Sequence, residues 1–113
     1  MPAENVIDLK HLHSLTDGEP ELEKNLFTLF LHTTEKCLST LAAAAQERED
    51  IAWRHALHEL RGAASGLGAN QIAFECKTAE MLQGRDADRR RESLKKIEKE
   101  VSVVRAYCSQ KYA

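Results

Sequence analysis

The chain holds few residues that interrupt a helix. Two prolines, Pro2 and Pro20, and five glycines, Gly18, Gly62, Gly66, Gly68 and Gly84, are spread over 113 residues. Val, Ile and Thr do not gather in alternating runs, so no strand is predicted. Internal repeats are missing, and the only biased tract is the short Ala42–Ala45 run. The longest apolar run, Leu41 to Ala45, is far too short to cross a bilayer. Met1-Pro2-Ala3-Glu4-Asn5 has neither the basic start nor the apolar core of a secretory signal, so a cytoplasmic address is expected. A basic excess is missing too. With 16 Lys and Arg against 18 Asp and Glu, the net charge is −2, and no global field draws in nucleic acid or an anionic membrane. The three cysteines, Cys37, Cys76 and Cys108, are odd in number and far apart. They fit reduced, buried thiols better than a disulfide framework.

What remains is a helical chain. The apolar fraction is 42% and the charged fraction 30%, as in a compact domain with a wet surface. Length predicts one domain over residues 1–113. A short helix is expected over about residues 6–15, where Val6, Leu9 and Leu12 recur at helical spacing and Asp8 can cap. Thr16-Asp17-Gly18 then signals a turn. A long helix is expected over about 19–47, entered through Pro20. Its inner stripe is predicted as Leu22, Leu26, Leu29, Thr33, Cys37, Leu41 and Ala44, widened by Phe27, Phe30 and Leu38. At 1.5 Å per residue it spans about 40 Å and sets the length of the domain. A third helix is expected over about 50–66, capped by Asp50 and stopped by Gly66–Gly68. A fourth should run over about 70–83, from an Asn70 cap to Gly84, with Ile72, Cys76 and Ala79 inward and Leu82 or Gln83 continuing the stripe. A fifth, over about 88–110, carries Leu94, Ile97, Val101, Val104 and Cys108 inward. The expected fold is all-α: an antiparallel up-down four-helix bundle with a short additional N-terminal helix.

The third helix has an anomalous face. With His58 set at zero and 100° per residue, Trp53, Ala56, Leu60, Ala63 and Leu67 fall between about 140° and 220°. The opposite stripe holds Arg54, His58, Arg61, Gly62 and Ser65, with His55 about 60° away. His58 therefore points away from its own helix's core stripe. Gly62 costs about 1 kcal/mol relative to alanine inside a helix. It sits one turn after His58, over which a side chain at 62 would lean. Its absence leaves the imidazole room for a large reactant. Arg61 is close enough to grip phosphate oxygens through two N–H groups.

These residues carry a family resemblance. His58-Glu59-Leu60-Arg61-Gly62-Ala63-Ala64-Ser65-Gly66-Leu67-Gly68-Ala69 resembles the signature of histidine-containing phosphotransfer (HPt) domains. Arg61 stands where that family usually has lysine. Ile7-Asp8, Thr16-Asp17-Gly18 with Glu21-Leu22-Glu23, and Ile72-Ala73 through Glu80-Met81-Leu82 extend the likeness over nearly the whole chain. The resemblance implies phosphorylation of His58 on Nε2, from a phospho-aspartate of a response-regulator receiver domain, and onward transfer to another receiver. It implies a hybrid sensor histidine kinase upstream. By position, Glu80 matches the residue that hydrogen-bonds the histidine's other nitrogen, leaving Nε2 as the nucleophile.

No Gly-x-x-x-x-Gly-Lys-Ser/Thr loop is present, so the chain is read as a phosphoryl carrier without autonomous kinase activity. No cofactor is expected in this chain, and Mg²⁺ is expected on the partner receiver. Docking is expected around His58, using Arg54, His55, Ser65 and the N-terminal Leu9, Leu12 and Leu15. Nucleic acid and membrane are not expected partners, and a monomer is the default. Two rival readings compete with this one. A metal site through His55 and His58 lacks further ligands, because the cysteines fall on inward stripes. A helical adaptor without phosphotransfer explains the fold but not Gly62 beside His58.

Overall fold

The structure, a computed structural model, describes residues 6–47, 49–81 and 87–112. Among the described residues five helices follow in order: α1 (Leu9–Thr16), α2 (Pro20–Glu47), α3 (Asp50–Leu67), α4 (Asn70–Glu80) and α5 (Ala87–Lys111). No strand occurs among the described residues. Helices α2 to α5 pack as a ring, α2 against α3, α3 against α4, α4 against α5 and α5 back onto α2. The 28 residues of α2 predict about 42 Å at the helical rise, close to the 43 Å long axis of the molecule. The expected Gly84 stop and the Leu82 and Gln83 positions lie outside the described residues. The helix itself is described to Glu80, with Met81 as its C-cap.

Asp8 caps α1 as expected, accepting from the backbone N–H of His11. Two other caps differ. The N-cap of α3 is Glu49 and that of α4 is Ala69, so Asp50 and Asn70 are first helical residues. Asp50 is turned to another use. It pairs with Arg90 of α5, whose buried guanidinium also lies 5.2 Å from the Trp53 ring centroid. A buried cation is thus held between a carboxylate and an aromatic face.

The seam of α2 is also shifted from the expected one. Glu23, Phe27, Phe30, Thr34, Cys37, Leu41 and Ala44 are buried. Leu22 and Leu29 are exposed, at 39% and 62%. The predicted stripe contained three successive steps of four, which carry a line about 120° round a helix. The observed stripe alternates four and three and stays on one face. It puts the two phenylalanines, expected at the edge of the stripe, on its centre line, with the Phe27 ring tilted against those of Tyr112 and Tyr107 at centroid distances of 5.5 and 6.1 Å.

That register buries a carboxylate. Glu23 Oε2 accepts from the Tyr112 hydroxyl at 2.9 Å, and Oε1 accepts from Thr16 Oγ1 at 3.4 Å. Lys111 Nζ at 3.8 Å and His13 Nε2 at 3.6 Å complete the surroundings. One buried acid therefore ties α1, α2 and α5 together at one end of the bundle.

Candidate functional site

The α3–α4 corner sets the site. Gly68 closes α3 at φ 95°, and its N–H donates to the carbonyls of Ala64 and Ser65. A Cβ there would stand 3.1 Å from the Asp8 carbonyl oxygen, so glycine is needed for space as well as for torsion. The N-terminal segment is clamped onto this corner. Asp8 N–H donates to Gly68 O at 2.9 Å, and His11 Nε2 donates to Gly66 O at 2.8 Å. From the corner the chain reverses. His58 lies nine residues before Leu67 and Glu80 ten after Asn70, about 14 and 15 Å by helical rise. The reversal therefore brings Glu80 level with His58.

His58 is on the solvent side of α3, its side chain 73% exposed. Trp53, Ala56, Leu57, Leu60, Ala64 and Leu67 are buried on the other side. Ala63, expected inside, is half-buried, so the core arc is rotated slightly toward Leu57 and Ala64. A Cβ built on Gly62 meets nothing within 4 Å among the described residues. Packing of the described residues therefore does not demand Gly62, and the space over its Cα is open to a visitor.

Arg61 and Glu80 reach His58, in an order that differs from the expectation. Glu80 Oε1 stands 3.7 Å from His58 Nδ1, too far for a hydrogen bond. Arg61 occupies the intervening place. One of its terminal nitrogens is 3.1 Å from Nδ1, and the other is 3.0 Å from Glu80 Oε2. A guanidinium has donors only. Nδ1 is therefore the acceptor, and a neutral ring in this arrangement carries its proton on Nε2.

The docking expectations divide. Arg54, His55 and Ser65 are exposed. His55 opens onto a separate cavity of about 940 Å³, between the end of α2 and the start of α3, shared with Lys36, Thr40 and Glu59. Leu12 is fully buried and cannot dock a partner, and Leu9 is half-buried against the core. Both face inward because the Asp8 and His11 bonds hold α1 flat on the α3–α4 corner. Leu15, at 48%, is exposed. It joins Leu26, Leu29, Thr33, Ala63 and Gly66 around an apolar hollow of about 220 Å³. The periodic reading missed Leu22 and Leu29 as surface residues. For Leu29 the available signal was Phe30 one place along; beside Leu22 stands Glu23, which gives no such signal.

Burial pushes the thiols up, Cys76 to about 12, Cys37 and Cys108 to about 11, with the Glu80 carboxylate adding to the effect at Cys76. They are poor nucleophiles and poor metal ligands in that state. No cluster of three or more His, Cys, Asp or Glu is placed to share a metal ion among the described residues. No helix among them is long and apolar enough to cross a membrane.

A helical bundle with an exposed histidine one turn before an unobstructed glycine is the architecture of a histidine phosphotransfer domain. The chain belongs to that family: the model of the Hpt domain matches residues 25–107. Members are phosphocarrier modules of two-component systems rather than kinases. No curated protein and no solved structure matches the chain.

Proposed function

We propose that this protein accepts a phosphoryl group on Nε2 of His58 from the phospho-aspartate of one receiver domain and returns it to the aspartate of another. The observation that carries this reading is the exposed imidazole beside the open space at Gly62, with a cation 3.1 Å from the ring. The Nε2 lone pair attacks phosphorus, the P–O bond to the receiver aspartate breaks, and the carboxylate leaves as an anion. The product ring carries a proton on Nδ1 and the phosphoryl group on Nε2. Charge balances, because the ring gains the positive charge that the leaving carboxylate offsets. Onward transfer is the same step in reverse, toward a different aspartate.

Arg61 supplies charge to the phosphoryl oxygens. The hollow lined by Leu15, Leu26 and Leu29 is the apolar part of the receiver-docking surface, taking the place of the Leu12 contact. The receiver brings Mg²⁺ and most of the transition-state stabilisation, and this chain acts as carrier without kinase activity of its own. The upstream donor is a hybrid sensor kinase.

The test is intact-mass analysis after incubation with phosphorylated receivers, comparing wild type with His58→Gln. One acid-labile, alkali-stable phosphoryl group on wild type only is the expected result. No gain from several receivers would leave a helical adaptor as the better reading.

A further inference from the structure

We infer that Arg61 is a positioning residue that holds resting His58 in the tautomer that cannot attack, and that Glu80 is the acceptor waiting for the other tautomer. The inference rests on the carrier reading above and goes beyond it. At rest the guanidinium bridges the two groups, 3.1 Å from His58 Nδ1 and 3.0 Å from Glu80 Oε2. Because arginine can only donate, the bridge reserves the Nδ1 lone pair and places the ring proton on Nε2. Nε2 is the atom that must present a lone pair to phosphorus. The resting ring is therefore masked at its reactive atom.

The same geometry holds the release. Glu80 Oε1 is 3.7 Å from Nδ1, so a shift of about 1 Å brings it to hydrogen-bond distance once the guanidinium leaves. An incoming phosphoryl group competes for that guanidinium with more negative charge than one carboxylate carries. As Arg61 turns to the phosphoryl oxygens, Nδ1 loses its donor. The ring then loses the Nε2 proton to solvent and takes one from solvent on Nδ1, with no net change. His58 is exposed enough for both exchanges. Nδ1–H donates to Glu80, and Nε2 is unmasked beside the group it is to attack. A lysine at position 61 is a point donor without the fork, and cannot hold histidine and glutamate through two separate nitrogens in this way.

The test reads the tautomer directly. Ring-¹⁵N-labelled protein is examined by long-range ¹⁵N–¹H correlation at about pH 8, above the ordinary histidine range. Wild type is compared with Arg61→Met, which keeps the stem and removes the donors, and with Arg61→Met combined with Glu80→Ala. Wild type should show the Nε2–H form of His58. Arg61→Met should lower the ratio of Nε2–H to Nδ1–H by about tenfold, the scale of one charge-assisted hydrogen bond. The double variant should return most of that shift, since Nδ1–H then has no acceptor. An unchanged tautomer in Arg61→Met, while the wild type accepts a phosphoryl group on His58, overturns the inference and leaves the carrier reading standing. The expected shift with no phosphoryl group ever reaching His58 supports the arginine lock and overturns the carrier reading instead.

Discussion

Two histidine–glutamate pairs occur in this molecule at nearly the same distance. His13 Nε2 is 3.6 Å from Glu23 Oε1, and His58 Nδ1 is 3.7 Å from Glu80 Oε1. Their surroundings separate them. The Glu23 side chain is 4% exposed, and its oxygens accept from the hydroxyls of Thr16 and Tyr112. Those bonds join three helices, and His13 only brushes the edge. The Glu80 side chain is 19% exposed, and its bridge runs through Arg61, a cation that a stronger anion can draw away. Beside it lies the open space at Gly62. A histidine close to a carboxylate is therefore no evidence of a site in itself. What distinguishes the second pair is an exchangeable partner and room for a reactant.

The sharpest way to break this comparison is to remove each histidine. His58→Gln should abolish phosphoryl acceptance, a loss of at least about 1,000-fold, because the nucleophile is gone. His13→Gln should leave acceptance within about twofold, since surface substitutions away from a site change little. Phosphoryl incorporation by intact mass checks both. Acceptance that survives in His58→Gln and is lost in His13→Gln would reverse the assignment.

Alkaline titration probes the buried side of the same comparison. The Tyr112 phenol is pushed well above its ordinary value by burial and then by its bond to Glu23. Burial raises all three thiols, to about 11 for Cys37 and Cys108 and about 12 for Cys76. Between their unfolded and folded values the folded state holds protons that the unfolded state has lost. Stability from these groups is therefore full below about pH 8 and falls as pH rises through the folded values. Denaturant melts from pH 7 to 11 measure it. Tyr112→Phe should flatten part of that alkaline fall. A stability curve level to pH 11 would mean that these groups are not desolvated as the structure has them.

The two carboxylates offer a smaller contrast. Glu23→Ala should cost about 2 kcal/mol, roughly 10 °C in Tm for a domain of this size, through lost hydrogen bonds and a cavity. Glu80→Ala should change stability by no more than about 0.5 kcal/mol, as a partly exposed ion pair contributes little. It should instead slow phosphoryl acceptance by about tenfold, through loss of the Nδ1 acceptor. Equal thermal melts for the two variants would erase the distinction between clasp and site.

Much of this architecture is legible in the sequence, because helices are marked locally. Pro20 at the start of α2, Gly68 at the end of α3 and the three–four spacing of α5 each act within a few residues. The outward phase of His58 follows from the same periodicity. The parts that were not legible depend on competition between elements. Leu22 fits an inner stripe as well as Glu23 does, until Tyr112, just past α5, and Thr16 of α1 supply hydrogen-bond partners for the carboxylate. Leu12 reads as spare apolar surface until the bonds from Asp8 and His11 to the α3 terminus fold its helix inward. At the site, spacing brings Glu80 level with His58. Which of two donors and acceptors meets Nδ1 is decided by side-chain reach, and there the forked, longer arginine displaces the direct bond.

Gly62 gives the finest test of the contrast, because there stability and function should move in opposite directions. A glycine inside a helix costs about 1 kcal/mol relative to alanine, and no described atom lies where the new Cβ would go. Gly62→Ala should therefore raise stability by up to about 1 kcal/mol in denaturant melts. Gly62→Leu should fold equally well, since its side chain also enters solvent. The space it fills is that over His58, toward which a helical side chain leans. Phosphoryl acceptance should fall slightly in the alanine variant and strongly in the leucine variant, with both proteins folded. Full acceptance by Gly62→Leu would show that the donor approaches from elsewhere, and would leave the glycine with no role that packing or access explains. Decline in step with side-chain size, against unchanged or improved stability, ties the helix-weakening residue to the visitor and to nothing within the chain.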